Sequence, residues 1–146
     1  MARRRDIDRL TELEELFADL WQVPRFAAGM RRAHRPQIDV FRSDDPAEVT
    51  VVVEIPGAEP ERIRVELDGR RLLVSGGRPR PHGPGRVWYR SEIEYGPFAR
   101  EVALPVDVDV DRAGATYERG FLRIVLPVAE RPPRPAAVAI EVRRAR

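Results

Sequence analysis

Between residues 6 and 21, Ile7, Leu10, Leu13, Phe17, Leu20 and Trp21 recur at steps of three and four, with Leu16 at the edge of the stripe. That spacing predicts an amphipathic helix, opened by Asp6 and Asp8 and stopped by Pro24. A stretch rich in Arg, Ala and Gly follows, and from residue 36 the period becomes two. Ile38 and Val40 alternate with Asp39 and Phe41; Val49, Val51, Val53 and Ile55 share a face and stop at Pro56-Gly57. Ile63, Val65 and Leu67 lead through Asp68-Gly69 into a second run at 71–75. After a loop over 76–85 with three prolines, Val87, Tyr89, Ser91, Ile93 and Tyr95 alternate with Trp88, Arg90, Glu92 and Glu94. Gly96-Pro97 breaks that run, and Phe98, Arg100, Val102 and Leu104 form the next face, ending at Pro105. Two further strands are predicted at 115–118 and 121–126. About eight short strands with no helix among them predict an all-β, immunoglobulin-like antiparallel β-sandwich of roughly 100 residues.

The last hairpin, Ala115-Thr116-Tyr117-Glu118-Arg119-Gly120-Phe121-Leu122-Arg123-Ile124-Val125-Leu126-Pro127, is the most specific stretch. Leu122, Ile124 and Leu126 take one face and Arg123 the other; Gly120 supplies the positive φ of a tight turn, and Pro127 ends the ladder. It closely resembles the A-x-x-x-G-x-L-x-I/V-x-L-P signature of the small heat-shock protein (Hsp20, or α-crystallin) family. Tyr95-Gly96-Pro97-Phe98-Ala99-Arg100 running to Leu104-Pro105, the V-D-x-D of Val106 to Asp109, and Ile140-Glu141-Val142 after a proline-rich arm resemble further family elements in the family's order. One departure is Arg119, where the signature turn often carries Asn or Asp. The resemblance implies three parts: an N-terminal arm at 1–35, an α-crystallin-type sandwich at 36–128, and a C-terminal extension at 129–146.

Physical reading and resemblance together suggest what each part does. Ile140 and Val142 point to one side of an extended segment, and a proline-stiffened arm is expected to be unable to bury them locally. By analogy with the family they should enter a groove on a neighbouring subunit, between the strands at 63–67 and 115–118, walled by Val65, Leu67, Ala115 and Tyr117. Arg100 lies on an apolar face, where an isolated charge is costly, so it should be paired or at an interface. The resemblance makes it a dimer-interface residue and has the strand at 87–95, through Trp88, Tyr89 and Arg90, reach across to the partner's strand at 36–41, which carries Ile38 and Val40. The helical stripe could pack on its own domain or form a sticky arm; the arm is favoured, with Leu10, Leu13, Phe17, Leu20, Trp21 and Phe26 as client-binding residues.

Composition removes other functions. There is no Cys, and all 26 basic residues are Arg, so thiolate, disulfide and lysine-based chemistry have no residues to use. His34 and His82 lie in loops, and no serine has a base beside it, so no catalytic residue, cofactor or metal is expected. Asp107, Asp109 and Asp111 with Glu118 echo a calcium loop, but its glycine position holds Arg112. Net charge is +2 in residues 1–36, −3 in 37–129 and +3 in 130–146, too mixed for a nucleic-acid footprint. No apolar run approaches the roughly 18 residues of a membrane helix, and the N-terminus lacks a secretory pattern, so integral membrane association is not expected and a cytoplasmic location is. The functional expectation is an ATP-independent holdase chaperone that binds partly unfolded proteins and assembles from dimers into larger homo-oligomers. A CS/p23-like co-chaperone or interaction module is the alternative, although it would lack both the arm and the tail.

Overall fold

In the computed structural model, which describes residues 33–81, 83–131 and 137–146, period-two patterning becomes two packed sheets. Strands β1 (Ile38–Asp44), β2 (Ala47–Glu54), β3 (Arg64–Asp68), β4 (Arg71–Arg78) and β5 (Gly96–Ala103) come first. They are followed by β6 (Gly114–Glu118), β7 (Phe121–Pro127), β8 (Val138–Ile140) and β9 (Val142–Arg144). One sheet runs β1-β2-β7-β6-β9 and the other β5-β4-β3-β8. The chain divides between Ala33 and His34, and all nine strands belong to the unit His34–Arg146.

Alternate residues from the two sheets meet in the middle. Val49, Val51 and Val53 of β2 and Leu122, Ile124 and Leu126 of β7 are fully buried, facing Val65, Leu67, Leu72, Val74, Phe98 and Val102 of the other sheet. The register of β2 on β7 sets Val51 opposite Ile124 and Val53 opposite Leu122, so branched side chains stack in rows across the strands. Each such side chain contributes about 1.5–3 kcal/mol on leaving water.

The sequence expectations are adjusted at several points. The first hairpin is longer than predicted, with β1 reaching Asp44 and turning at Asp45-Pro46 into β2. Gly76 and Gly77, read as the start of a loop, continue β4 and pair with Phe98 and Pro97. A Cβ on Gly76 would stand 2.6 Å from Phe98 Cζ, so the missing side chain is what lets the Phe98 ring lie over β4. Short 3-10 turns at Pro60–Arg62 and Val110–Arg112 interrupt a middle expected to be without helix. The stretch 87–95, expected to be a strand, forms none. Its alternation suits a sheet, but it pairs with none of the described strands, and a strand without a neighbour leaves its amides unsatisfied.

Candidate functional site: tail groove and open edges

β3 and β6 are neighbouring edges of opposite sheets, each lined toward the core by small or branched residues. Between them lies the groove, and the tail fills it. β8 pairs antiparallel with β3, setting Ile140 opposite Val65 and Val138 opposite Leu67. The chain then crosses at Glu141, and β9 pairs parallel with β6, setting Val142 opposite Ala115 and Arg144 opposite Tyr117. Ile140 is 7% exposed and joins the core; Val142 is half-buried against it. Tyr117 shapes the far end, its hydroxyl donating to the Ile55 carbonyl at 3.0 Å. The Ala145 amide donates to the Tyr117 carbonyl at 3.1 Å, and the Arg144 guanidinium lies 3.4 Å from the exposed Glu61 carboxylate.

The structure thus brings Val65, Leu67, Ala115 and Tyr117 together with Ile140 and Val142, but within one chain. The expectation that a stiff arm could not bury these residues locally is corrected here: β3 and β6 lie side by side, and a short crossing at Glu141 serves both edges. Pro132 to Pro135 of that arm lie outside the described residues, as do Leu10, Leu13, Phe17, Leu20, Trp21 and Phe26. The parallel pairing of β9 was not legible, because Arg143 and Arg144 carry no apolar signal.

At the opposite side of the first sheet, β1 is a free edge. Ile38 is half-buried, while Val40 and Phe41 are 39% and 45% exposed. Arg100 of β5 is part-buried: Nη1 donates to the Pro36 carbonyl at 3.4 Å, and Nε is buried without an acceptor among the described residues. The stretch 87–95 lies over the end of β4. Val87 and Tyr89 are 76% and 97% exposed, and Trp88, Arg90 and Ile93 also face solvent. Three basic side chains hold it. Arg78 Nε donates to the Glu94 carbonyl at 2.8 Å, with Nη2 on the same oxygen, while Nη1 donates to the Pro56 carbonyl at 3.4 Å. The Arg80 guanidinium lies 5.0 Å from the Trp88 ring centroid and 4.9 Å from that of Tyr95, and it donates to Ser91 Oγ at 3.1 Å. His34 Nδ1 meets the Glu94 carboxylate, and His34 itself bridges to Phe98 on β5. A sequence signal for this exists in retrospect: two arginines before a proline loop and two aromatics after it.

The acidic run resolves into structural duties. Asp107 accepts from Arg70 Nε at 2.6 Å, and Asp109 accepts from the Asp111 amide at 3.0 Å. The Arg70 hydrogen bond, opposed by desolvation and aided to a smaller degree by the guanidinium charge, holds the Asp107 carboxyl below the usual carboxylate range. Among the described residues, no group of three His, Cys, Asp or Glu is placed to hold a metal ion, and no helix is long and apolar enough to cross a membrane.

Comparison with known proteins agrees with this architecture. Residues 42–143 match the model of the Hsp20/alpha crystallin family. The chain is 32% identical over 148 residues to the 16.9 kDa class I heat shock protein 1 of Triticum aestivum, covering 93% of this chain and 97% of that one. Among solved structures, heat shock protein 16.0 from Schizosaccharomyces pombe superposes with a TM-score of 0.61 at 31% identity, over 73% of this chain and 98% of that one. A small heat-shock protein from Xylella fastidiosa, whose structure is described as revealing a distinct high order structure, superposes at 0.55 with 29% identity, over 70% and 94%. A two-sheet sandwich with its aliphatic tail in the groove between β3 and β6, matched in sequence and in shape, makes this chain a member of the Hsp20/alpha crystallin family of small heat-shock proteins, a family of chaperones.

Proposed function

We propose that this protein is an ATP-independent holdase: it captures partly unfolded proteins through exposed apolar surface and keeps them from aggregating, working as a homo-oligomer built from dimers. The observation that carries the reading is the groove between β3 and β6, whose edges and apolar floor accept an extended aliphatic segment. One buried and one half-buried aliphatic contribute about 2–5 kcal/mol before ordering costs, which suits reversible docking. Any tail that reaches such a groove makes the same contacts, so exchange between chains keeps the pairing and adds a link between subunits. The Xylella fastidiosa relative, described as having a high order structure, supports larger assembly.

Dimers form when the stretch 87–95 of one chain adds to the free β1 edge of another, placing Trp88, Tyr89 and Arg90 beside Ile38 and Val40. Arg100, whose buried Nε has no acceptor among the described residues, takes one from the partner in this reading. The N-terminal residues Leu10, Leu13, Phe17, Leu20, Trp21 and Phe26 supply client contacts. The test is turbidity of a heat-labile enzyme held at its unfolding temperature without nucleotide. Stoichiometric amounts of this protein should suppress the scattering, equally with or without ATP; undiminished aggregation sinks the reading.

A further inference from the structure

The stretch 87–95 has the alternation of a strand and none of a strand's pairing. What holds it is polar and specific. Arg80, two residues beyond the end of β4, stacks against Trp88 and Tyr95 at once, at 5.0 and 4.9 Å, so the two ends of the stretch are drawn to one guanidinium. The same group reaches Ser91 between them. Arg78 fixes the Glu94 carbonyl, and His34, anchored on β5, meets the Glu94 carboxylate. A carbonyl engaged by Arg78 and a carboxylate engaged by His34 are not free to serve an extended strand on another molecule. Gly96, at φ +100, is the first residue of β5 and pairs with Arg78, so the ladder begins there and the stretch before it has no strand partner to hold it.

We infer that Arg78, Arg80 and His34 form a clasp that stows the stretch 87–95 on its own domain, so that Arg80 must let go of Trp88 and Tyr95 before the stretch can pair with the β1 edge of a second copy. The inference rests on the strand-exchange reading proposed above. It makes the stowed and exchanged forms competitors: whatever stabilises the clasp weakens the dimer by the same factor. Val87, Tyr89 and Ile93, exposed in the stowed form, are the side chains left for the exchanged form to cover.

The test uses the full chain with Trp21→Phe, so that Trp88 is the sole indole, and with Ile140→Ala/Val142→Ala, so that assembly through the tail does not mask dimerisation. Arg80→Gln, in the irregular, half-buried segment after β4, should raise acrylamide quenching of Trp88 in dilute monomer and tighten dimerisation about tenfold by sedimentation, the factor expected for losing two cation–π contacts. Arg80→Lys, which keeps the charge without the flat stacking face, should fall between. Unchanged quenching overturns the clasp. Raised quenching with unchanged or weaker dimerisation overturns the competition. A parent chain that stays monomeric at every concentration overturns the strand-exchange reading, a failure seen without any Arg80 variant.

Discussion

At the β6–β7 turn, two residues carry positive φ: Arg119 at 51° and Gly120 at 85°. For Gly120 there is a second constraint, because a Cβ would lie 2.9 Å from Pro56 Cβ, and its carbonyl receives the Ile55 amide at 2.8 Å. Gly120 therefore serves both the turn and the close passage of the chain at Pro56, just beyond β2. Gly120→Ala should cost about 2–4 kcal/mol, the sum of a left-handed backbone and an overpacked contact, read as a lowered urea midpoint. Arg119 has no such contact to defend, and Arg119→Asn should stabilise by about 0.5–1 kcal/mol, since Asn tolerates that conformation better. If both variants moved the midpoint the same way, this account of the turn would be wrong. Asp107 gives the pH-dependent residue. Its folded carboxyl titrates below its unfolded value, so its contribution is present above about pH 4 and fades as the pH falls through the folded value. Asp107→Asn should therefore flatten the acid side of a midpoint-against-pH curve; an unchanged slope would remove Asp107 from that behaviour.

At the scale of elements, alternation told where residues face but not whether they find a neighbour. Val49, Val51 and Val53 read as a core face and are one, because β1 and β7 flank them on both sides. Val87, Tyr89, Ile93 and Tyr95 alternate just as regularly, yet no free edge of their own chain meets them. Gly76 and Gly77 read as loop because glycine disfavours strands, whereas Phe98 needs the space above Gly76. The groove walls Val65, Leu67, Ala115 and Tyr117 were legible as inward positions. The tail's return onto its own chain was not, because it depends on which edges lie together in space. The exposed β1 edge carries its own prediction: Val40→Lys with Phe41→Lys leaves the sandwich core intact and places charge where a second chain would add. It should lower dimerisation at least tenfold by sedimentation without shifting the unfolding midpoint by more than about 0.5 kcal/mol per site. Undiminished dimerisation would move the interface away from β1.

For the whole molecule, the two sheets without the tail end at β1 and β6 and at β5 and β3; His34 bridges to β5, and β3, β6 and β1 are the borders this account uses to join chains. One tail closes β3 and β6 at once by passing from an antiparallel to a parallel partner. That closure is worth as much between chains as within one, so linker reach and concentration decide between them rather than contact energy. The central claim is therefore that Ile140 and Val142, seated between β3 and β6 of a neighbouring chain, join dimers into larger particles. Light-scattering mass of the native chain beside Ile140→Ala/Val142→Ala tests it most directly: the account predicts particles of many subunits for the native chain and dimers for the variant, and equal masses would contradict it.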